Sequence, residues 1–203
     1  MPLPLKEFVQ QVLLEGNRAA KIHRAIRNAW KTADEKYPER ANWRRKSTFR
    51  GLFWEEAIRE LSAIASEDAG FVVIEHRDTV SFILENSVLF RFKHADLALG
   101  TANYPTPEAT SFDDHENDLY GFAGLQRVEL CHVFNEFETE IIWIGITARN
   151  MGRHLWKLEL SDLGISIPAP ELPIVMPEMD TAKLVRVKKT DNDQGREKKK
   201  DNG

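Results

Sequence analysis

The spacing of apolar residues changes once along this chain, at Gly70, and this change restricts the fold more than any other feature of the sequence. Before Gly70 the apolar residues recur every three or four positions, which is the spacing of one face of an α-helix. After Gly70 they alternate with polar residues, as they do in β-strands. The sequence therefore predicts an α+β fold, in which N-terminal helices pack on a mainly antiparallel sheet of about six strands.

Helices and strands can be placed from these spacings. The helices are predicted over residues 5–14, 18–37 and 48–66, and Pro38 ends the second one because proline cannot donate a backbone hydrogen bond. The strands are predicted over residues 71–76, 80–85, 88–93, 127–134, 139–147 and 153–160. Short turns within each group of three strands indicate antiparallel pairing.

The segment Phe90–Phe112 joins the two groups of strands. Pro105 stiffens a turn within this segment, because its ring fixes one backbone angle. Thr106 or Thr110 is placed to cap a short helix that runs toward the end of the segment. We therefore expect the chain to cross from one strand group to the other here.

Composition divides the chain into four regions. We expect a basic helical extension over residues 1–46, an α+β core over 47–163, a proline-rich extended segment over 164–189 and a disordered tail over 190–203. Four prolines interrupt the third region, and the last region contains no hydrophobic residue that could be buried. Only the core should therefore build a complete hydrophobic interior.

Charge is separated along the sequence. Residues 1–50 carry 12 Lys and Arg against 5 Asp and Glu, residues 51–181 carry 8 against 23, and residues 182–203 carry 8 against 4. A basic region of this kind is typical of contact with a polyanion, but it also matches a head that docks on the acidic part of its own chain. Both interpretations remain open from the sequence.

Several protein classes lack support in this sequence. The apolar runs are much shorter than the roughly 20 residues that span a bilayer, and the first residues lack the pattern of a secretory signal. The single cysteine, Cys131, excludes an internal disulfide and agrees with a reducing compartment. The motifs of serine hydrolases, P-loop NTPases, zinc proteases and dinucleotide-binding enzymes are not found in the sequence. We expect a cytoplasmic protein without a membrane partner and without a cofactor.

The basic N-terminal region contains the candidate nucleic-acid ligands. Its cations could neutralise phosphates, and Trp43 could stack on a base. The candidates are Lys21, Arg24, Arg27, Lys31, Arg40, Trp43, Arg44, Arg45 and Lys46, with Arg50 beside them. A solvated helix face would carry the same cations for solubility.

A dense acidic run follows the joining segment and is the candidate metal site. Its members are Asp113, Asp114, His115, Glu116 and Asp118. Their oxygen atoms suit a hard cation such as Mg²⁺ or Ca²⁺, but the spacing of a calcium-binding loop is absent from the sequence. A solvated acidic loop is the preferred interpretation.

Two neighbouring strands contain the residues that could perform acid-base chemistry. The candidates are Arg91, Lys93, Arg127, Glu129 and His132. Because neighbours on a strand point to opposite faces, Cys131 and His132 cannot form a nucleophile pair from these positions, and we expect Cys131 to be a buried structural residue.

The pieces FRFK, ANYPT, GLQRVEL, TEI and WKLEL, between Phe90 and Leu160, resemble a widespread and poorly characterised bacterial protein family. Its members carry an RFKK-type strand, an SNYPT-type turn and a closing strand pair, and the resemblance extends over about residues 44–160. This chain differs from the pattern at Ala102 and Pro107. The genes of such proteins often lie beside one for a helix-turn-helix regulator fused to a zinc-peptidase-like domain, as in toxin-antitoxin modules.

The resemblance implies an accessory or binding protein of a regulator-linked, toxin-antitoxin-like module, whose protein partner is encoded nearby. The basic N-terminal region adds DNA or RNA as a second expected partner. The alternative is a nuclease-type or other enzymatic toxin, whose acid and base groups meet only after folding.

Overall fold

The helical half of the chain folds as its apolar spacing predicts. The computed structural model describes residues 3–76, 79–101, 107–115 and 124–166, without the side chains of residues 107–109. Its first three α-helices are α1 (Lys6–Leu14), α2 (Arg18–Lys36) and α3 (Lys46–Glu67). A positive φ of 58° at Gly16 lets the chain turn directly from α1 into α2. Helix α3 begins slightly earlier than predicted, after Arg45 and without a side-chain cap.

The second half forms one sheet of seven described strands. The strands are β1 (Phe71–His76), β2 (Thr79–Leu84), β3 (Val88–Ala95), β4 (Gln126–Phe134), β5 (Ile141–Asn150), β6 (Arg153–Ser161) and β7 (Gly164–Ile165). They lie side by side in sequence order, and every neighbouring pair is antiparallel except β3 and β4. The α+β class and the mainly antiparallel sheet are therefore confirmed, with seven strands instead of about six.

The parallel pair lies where the two predicted strand groups meet. After β3 the chain turns back, and Thr101 forms an isolated antiparallel bridge with Ala95. A short helix, α4 (Pro107–Asp113), follows before β4 begins. The joining segment therefore crosses between the strand groups, although its residues 102–106 lie outside the described part of the chain.

The long helices cover one face of the sheet and share one core with it. Val9, Ile22 and Ile26 are buried in the same apolar cluster as Phe90 and Leu130 of the strands. Residues 1–46, which the sequence suggests as a basic extension, thus supply part of the interior of the α+β core. The apolar stripes of α1 and α2 explain this packing, since each stripe needs an apolar surface to cover it.

An ion cluster around the buried Arg18 joins the helices to the sheet. The guanidinium of Arg18, at the start of α2, donates from Nε to Oδ2 of Asp68 at 2.7 Å and also pairs with Glu85. Asp68 follows the end of α3, and Glu85 lies in the turn between β2 and β3. The guanidinium of Arg18 holds the pKa of the Asp68 carboxyl below its usual value.

The C-terminal predictions fall mostly outside the described residues. Residues 164–165 form β7, which was expected as part of the proline-rich segment, while residues 167–203 are not described. Within the described ranges, no helix has the length and apolar character needed to cross a membrane.

Candidate functional site

The face of the sheet opposite the long helices carries most of the predicted acid-base residues. Strand alternation and register place Arg91 opposite Glu129 and Lys93 opposite Cys131 on β3 and β4. Arg127 lies two positions before Glu129 on the same side of β4. The register of β5 adds Thr147, which lies opposite Glu129, and Arg149 of the same strand reaches the Glu129 carboxylate. We call this surface the polar face, and define it as Arg91, Lys93, Arg127, Glu129, Cys131, Thr147 and Arg149.

Two arginines of the polar face hold the segments that lie over it. Arg127, which is 2% exposed, donates from Nη1 to the carbonyl oxygens of Ser111 at 2.6 Å and Asp114 at 2.8 Å. Arg149 donates from Nη1 to the hydroxyl oxygen of Thr101 at 2.8 Å, and from Nη2 to the carbonyl oxygen of Leu99 in the same turn at 3.2 Å. These charge-assisted hydrogen bonds anchor both α4 and the turn after β3.

Glu129 is the buried carboxylate of this face. Its two oxygens accept from Oγ1 of Thr101 at 3.0 and 3.2 Å, and Nε of Arg149 lies 3.8 Å away. Nε of Arg91 donates to Oγ of Ser81 at 3.2 Å. A hydroxyl group and a cation thus lie beside a carboxylate that is only 2% exposed to water.

Cys131 lies on the polar face as an unreactive thiol. It is fully buried, and its Sγ is 3.4 Å from Oγ1 of Thr147. Burial raises the pKa of the thiol to about 12, so the thiolate that a nucleophile requires is scarce near neutral pH.

His132 is separated from the other acid-base candidates. It points toward the helices, where its ring centroid lies 4.8 Å from that of Phe92 and 4.9 Å from that of Phe53. Neither ring nitrogen makes a well-formed hydrogen bond with the described residues. Burial lowers the pKa of His132 well below its usual value, with smaller contributions from His94 and Arg50, and the backbone of Lys93 opposes this only weakly. The structure therefore brings Arg91, Lys93, Arg127 and Glu129 together and leaves His132 on the opposite face.

The described part of the acidic run does not form a metal centre. Nε2 of His115 lies 2.7 Å from the carbonyl oxygen of Arg149, which occupies one ring nitrogen. Among the residues that the structure describes, no group of three or more His, Cys, Asp or Glu side chains could hold a metal ion. The candidates Glu116 and Asp118 lie outside the described ranges.

Several predicted nucleic-acid ligands hold the turn between β4 and β5. Arg50 pairs with Glu138, Nη1 of Arg40 donates to the carbonyl of Glu138 at 3.2 Å, and Nη1 of Arg27 donates to the carbonyl of Ile141 at 2.9 Å. Lys46 reaches the carbonyl of Glu136 at 3.5 Å. Part of the basic region therefore docks on the acidic part of its own chain.

Three other cations of the predicted set are not used in this way. Arg24, Arg44 and Arg45 are exposed and form no hydrogen bond or ion pair with the described residues. Lys31 pairs with Glu35 on the surface of α2 at 3.8 Å. Lys21 is half-buried near Asp68, whose pKa it helps to lower.

A cavity of about 410 Å³ opens between the start of α3 and the β4–β5 turn. Trp43, Arg45 and Lys46 line one side, and Phe137 and Glu138 line the other. Phe137 is 75% exposed although it is a large apolar residue. We call this surface the basic cleft, and define it as Arg40, Trp43, Arg45, Lys46, Phe137 and Glu138. The exposed Arg44 lies between Trp43 and Arg45 in the sequence and is the neighbouring cation at its edge.

Sequence reasoning missed two residues of these surfaces. Phe137 belongs to the cleft. The sequence feature that could have pointed to it is an aromatic residue between two glutamates in a predicted turn. Arg149 belongs to the polar face, and the signal is its spacing of two from Thr147 at the end of β5.

Comparison of the chain with protein-family models, with curated proteins and with solved structures gave no match. The assignment of function therefore depends on the geometry of the two surfaces.

Proposed function

We propose that the protein is a cytoplasmic bacterial accessory protein of a regulator-linked, toxin-antitoxin-like module, which binds a protein partner and contacts nucleic acid through the basic cleft. The resemblance of residues 44–160 supports the module and the protein partner. The composition of the basic cleft supports nucleic acid, and this is the observation on which the binding proposal rests.

The cleft combines the two groups that bind single strands. The side chains of Arg44 and Arg45 are exposed and form no ion pair with the described residues, so they are available to phosphates. Trp43 and Phe137 offer aromatic rings beside them, and stacking of a base on such a ring contributes about 1–3 kcal/mol. Arg40, by contrast, lies over the rings of Trp30 and Phe49 and pairs with Asp34, so we assign it to the structure of the cleft wall.

Reversing both free charges is expected to weaken binding to a single-stranded oligonucleotide. In Arg44→Glu/Arg45→Glu the affinity should fall at least about tenfold at low salt, since two phosphate contacts are lost. The slope of log affinity against log salt should become shallower by about 1.4, because each contact with a single strand contributes about 0.7. Fluorescence anisotropy across a salt series measures both quantities.

The matched control is Arg24→Glu/Arg153→Glu, which changes the net charge equally at exposed arginines outside the cleft. Its affinity should stay close to that of the parent protein. Equal losses of affinity in the two double variants would show that net charge alone causes the effect. Salt-independent binding, or no binding, by the parent protein would contradict nucleic-acid contact.

The polar face favours an enzymatic toxin as a second candidate function, because it gathers Arg91, Lys93 and Arg127 around the buried carboxylate of Glu129. If this surface catalyses a toxic reaction, expression without the neighbouring gene should arrest growth, and Glu129→Gln should restore growth. His132→Phe should leave the arrest unchanged, since His132 lies on the other face. A harmless parent protein that copurifies with the neighbouring gene product would instead support the binding role.

A further inference from the structure

The strands β2 and β3 separate part of the way along their length. Their pairing ends at Phe82 and Phe90, whereas β3 continues to Ala95. A cavity of about 250 Å³ lies in this gap, with Thr79 and Val80 of β2 on one side. Residues 91–94 of β3 and Trp54 of α3 line the rest of it. This β2–β3 cavity is slightly smaller than the pockets of roughly 300–1,000 Å³ that hold drug-sized ligands, so it suits a small metabolite.

Lys93 is the uncommitted reactive group in the β2–β3 cavity. Its side chain is half-buried and forms no hydrogen bond or ion pair with the described residues. Arg91 beside it donates to Ser81, and its guanidinium lies 4.5 Å from the ring of Phe112. A lysine that the fold does not use for structure, placed in a cavity beside a second cation, is arranged to meet a ligand.

The charges around Lys93 determine how much of its amine is neutral. Burial lowers the pKa of Lys93, and the positive charge of Arg91 lowers it further. Glu129 and Cys131 of β4 and Asp113 of α4 act in the opposite direction. Burial is the largest of these effects, so a greater share of the amine is neutral and nucleophilic than on an exposed lysine.

We propose that the β2–β3 cavity binds a small organic anion that carries a carbonyl group, and that Nζ of Lys93 condenses with this carbonyl to form an imine. The amine nitrogen adds to the carbonyl carbon, the C=N bond forms, and the C–O bond breaks. The oxygen leaves as water with the two protons that the neutral amine loses. The step is a condensation without change of oxidation state, so it needs no oxidant or reductant.

The walls of the cavity match this class of ligand. Arg91 supplies a positive charge that attracts a carboxylate or phosphate group. Trp54, which is partly exposed, supplies apolar surface at the edge of the cavity for the rest of the molecule. This site shares no residue with the basic cleft, so the proposal can be tested independently of nucleic-acid binding.

Trapping the imine tests the proposal. The folded full-length protein is incubated with glyoxylate or with pyridoxal phosphate, the imine is reduced with sodium borohydride, and the labelled lysines are located by peptide mass spectrometry. Label on Lys93 is expected to exceed label on the exposed Lys31 and Lys157 several-fold. The preference should disappear in guanidinium chloride, which removes the cavity.

Lys93→Arg is the matched variant, since arginine keeps the positive charge but forms no imine of this kind. It should lose the preferential label while its thermal unfolding stays close to that of the parent protein. Propionaldehyde tests the anionic requirement, because it has the carbonyl without the charge, and it should label Lys93 no faster than Lys157. Equal labelling of all lysines, an unlabelled Lys93, or equal preference for propionaldehyde would each overturn the proposal.

Discussion

Replacing Arg18 by methionine is expected to lower the free energy of unfolding by about 1.5–3 kcal/mol, the range for a hydrogen bond to a charged group, because Asp68 and Glu85 remain partly open to water. Arg18 is 5% exposed, and its guanidinium satisfies the carboxylate of Asp68 and reaches Glu85. Without it Asp68 keeps a charge that only the backbone N–H of Gly70 and more distant cations offset. Urea unfolding followed by circular dichroism measures the difference.

The same change at Arg24 provides the control. Arg24 is exposed on the same helix and has no ion-pair partner among the described residues, so Arg24→Met should alter stability by no more than about 0.5 kcal/mol. A loss below about 1 kcal/mol in Arg18→Met would show that the cluster does not hold α2, α3 and the β2–β3 turn together.

His132 is expected to make stability depend on pH just below pH 6.5. Its folded pKa is lowered well below the usual value, so the unfolded chain binds a proton that the folded protein does not. The free energy of unfolding therefore has its full value above the unfolded pKa. It falls by about 1.4 kcal/mol per pH unit as the pH decreases toward the folded pKa. Urea unfolding at pH 7, 6 and 5 measures this slope.

His132→Phe should reduce that slope by about 1.4 kcal/mol per pH unit, since phenylalanine does not titrate. Its stability at pH 7 should equal or exceed that of the parent protein, because two buried nitrogens without partners are removed from an aromatic environment. Burial also lowers the pKa of His94. His94 therefore contributes to any pH dependence of stability that remains in the variant. An unchanged slope would mean that His132 is protonated in the folded protein.

The positions of helices and strands could be predicted because the spacing of apolar residues is a local property of the sequence. The second helix was predicted over residues 18–37 and is found at Arg18–Lys36, and the fourth strand was predicted over 127–134 and is found at Gln126–Phe134. The two-residue strand β7 was missed because it is too short to show a period.

Long-range partners were not predictable in the same way. Strand alternation placed Cys131 and His132 on opposite faces, but the sequence could not show that Arg91 and Lys93 would lie opposite Glu129 and Cys131. That juxtaposition depends on the parallel pairing of β3 with β4. Arg40 holds a turn nearly a hundred residues away, whereas the side chain of Arg44 contacts no such partner among the described residues. The sequence around these two arginines does not show this difference.

The single parallel pair also determines how the chain can assemble. Among the described strands, five of the six neighbouring pairs are joined by at most six residues, whereas β3 and β4 are joined by residues 96–125. Closing that long connection costs more chain entropy than closing any of the hairpins. We therefore expect the strands before and after it to form as two separate meanders, whose docking along β3 and β4 is the slowest step of folding.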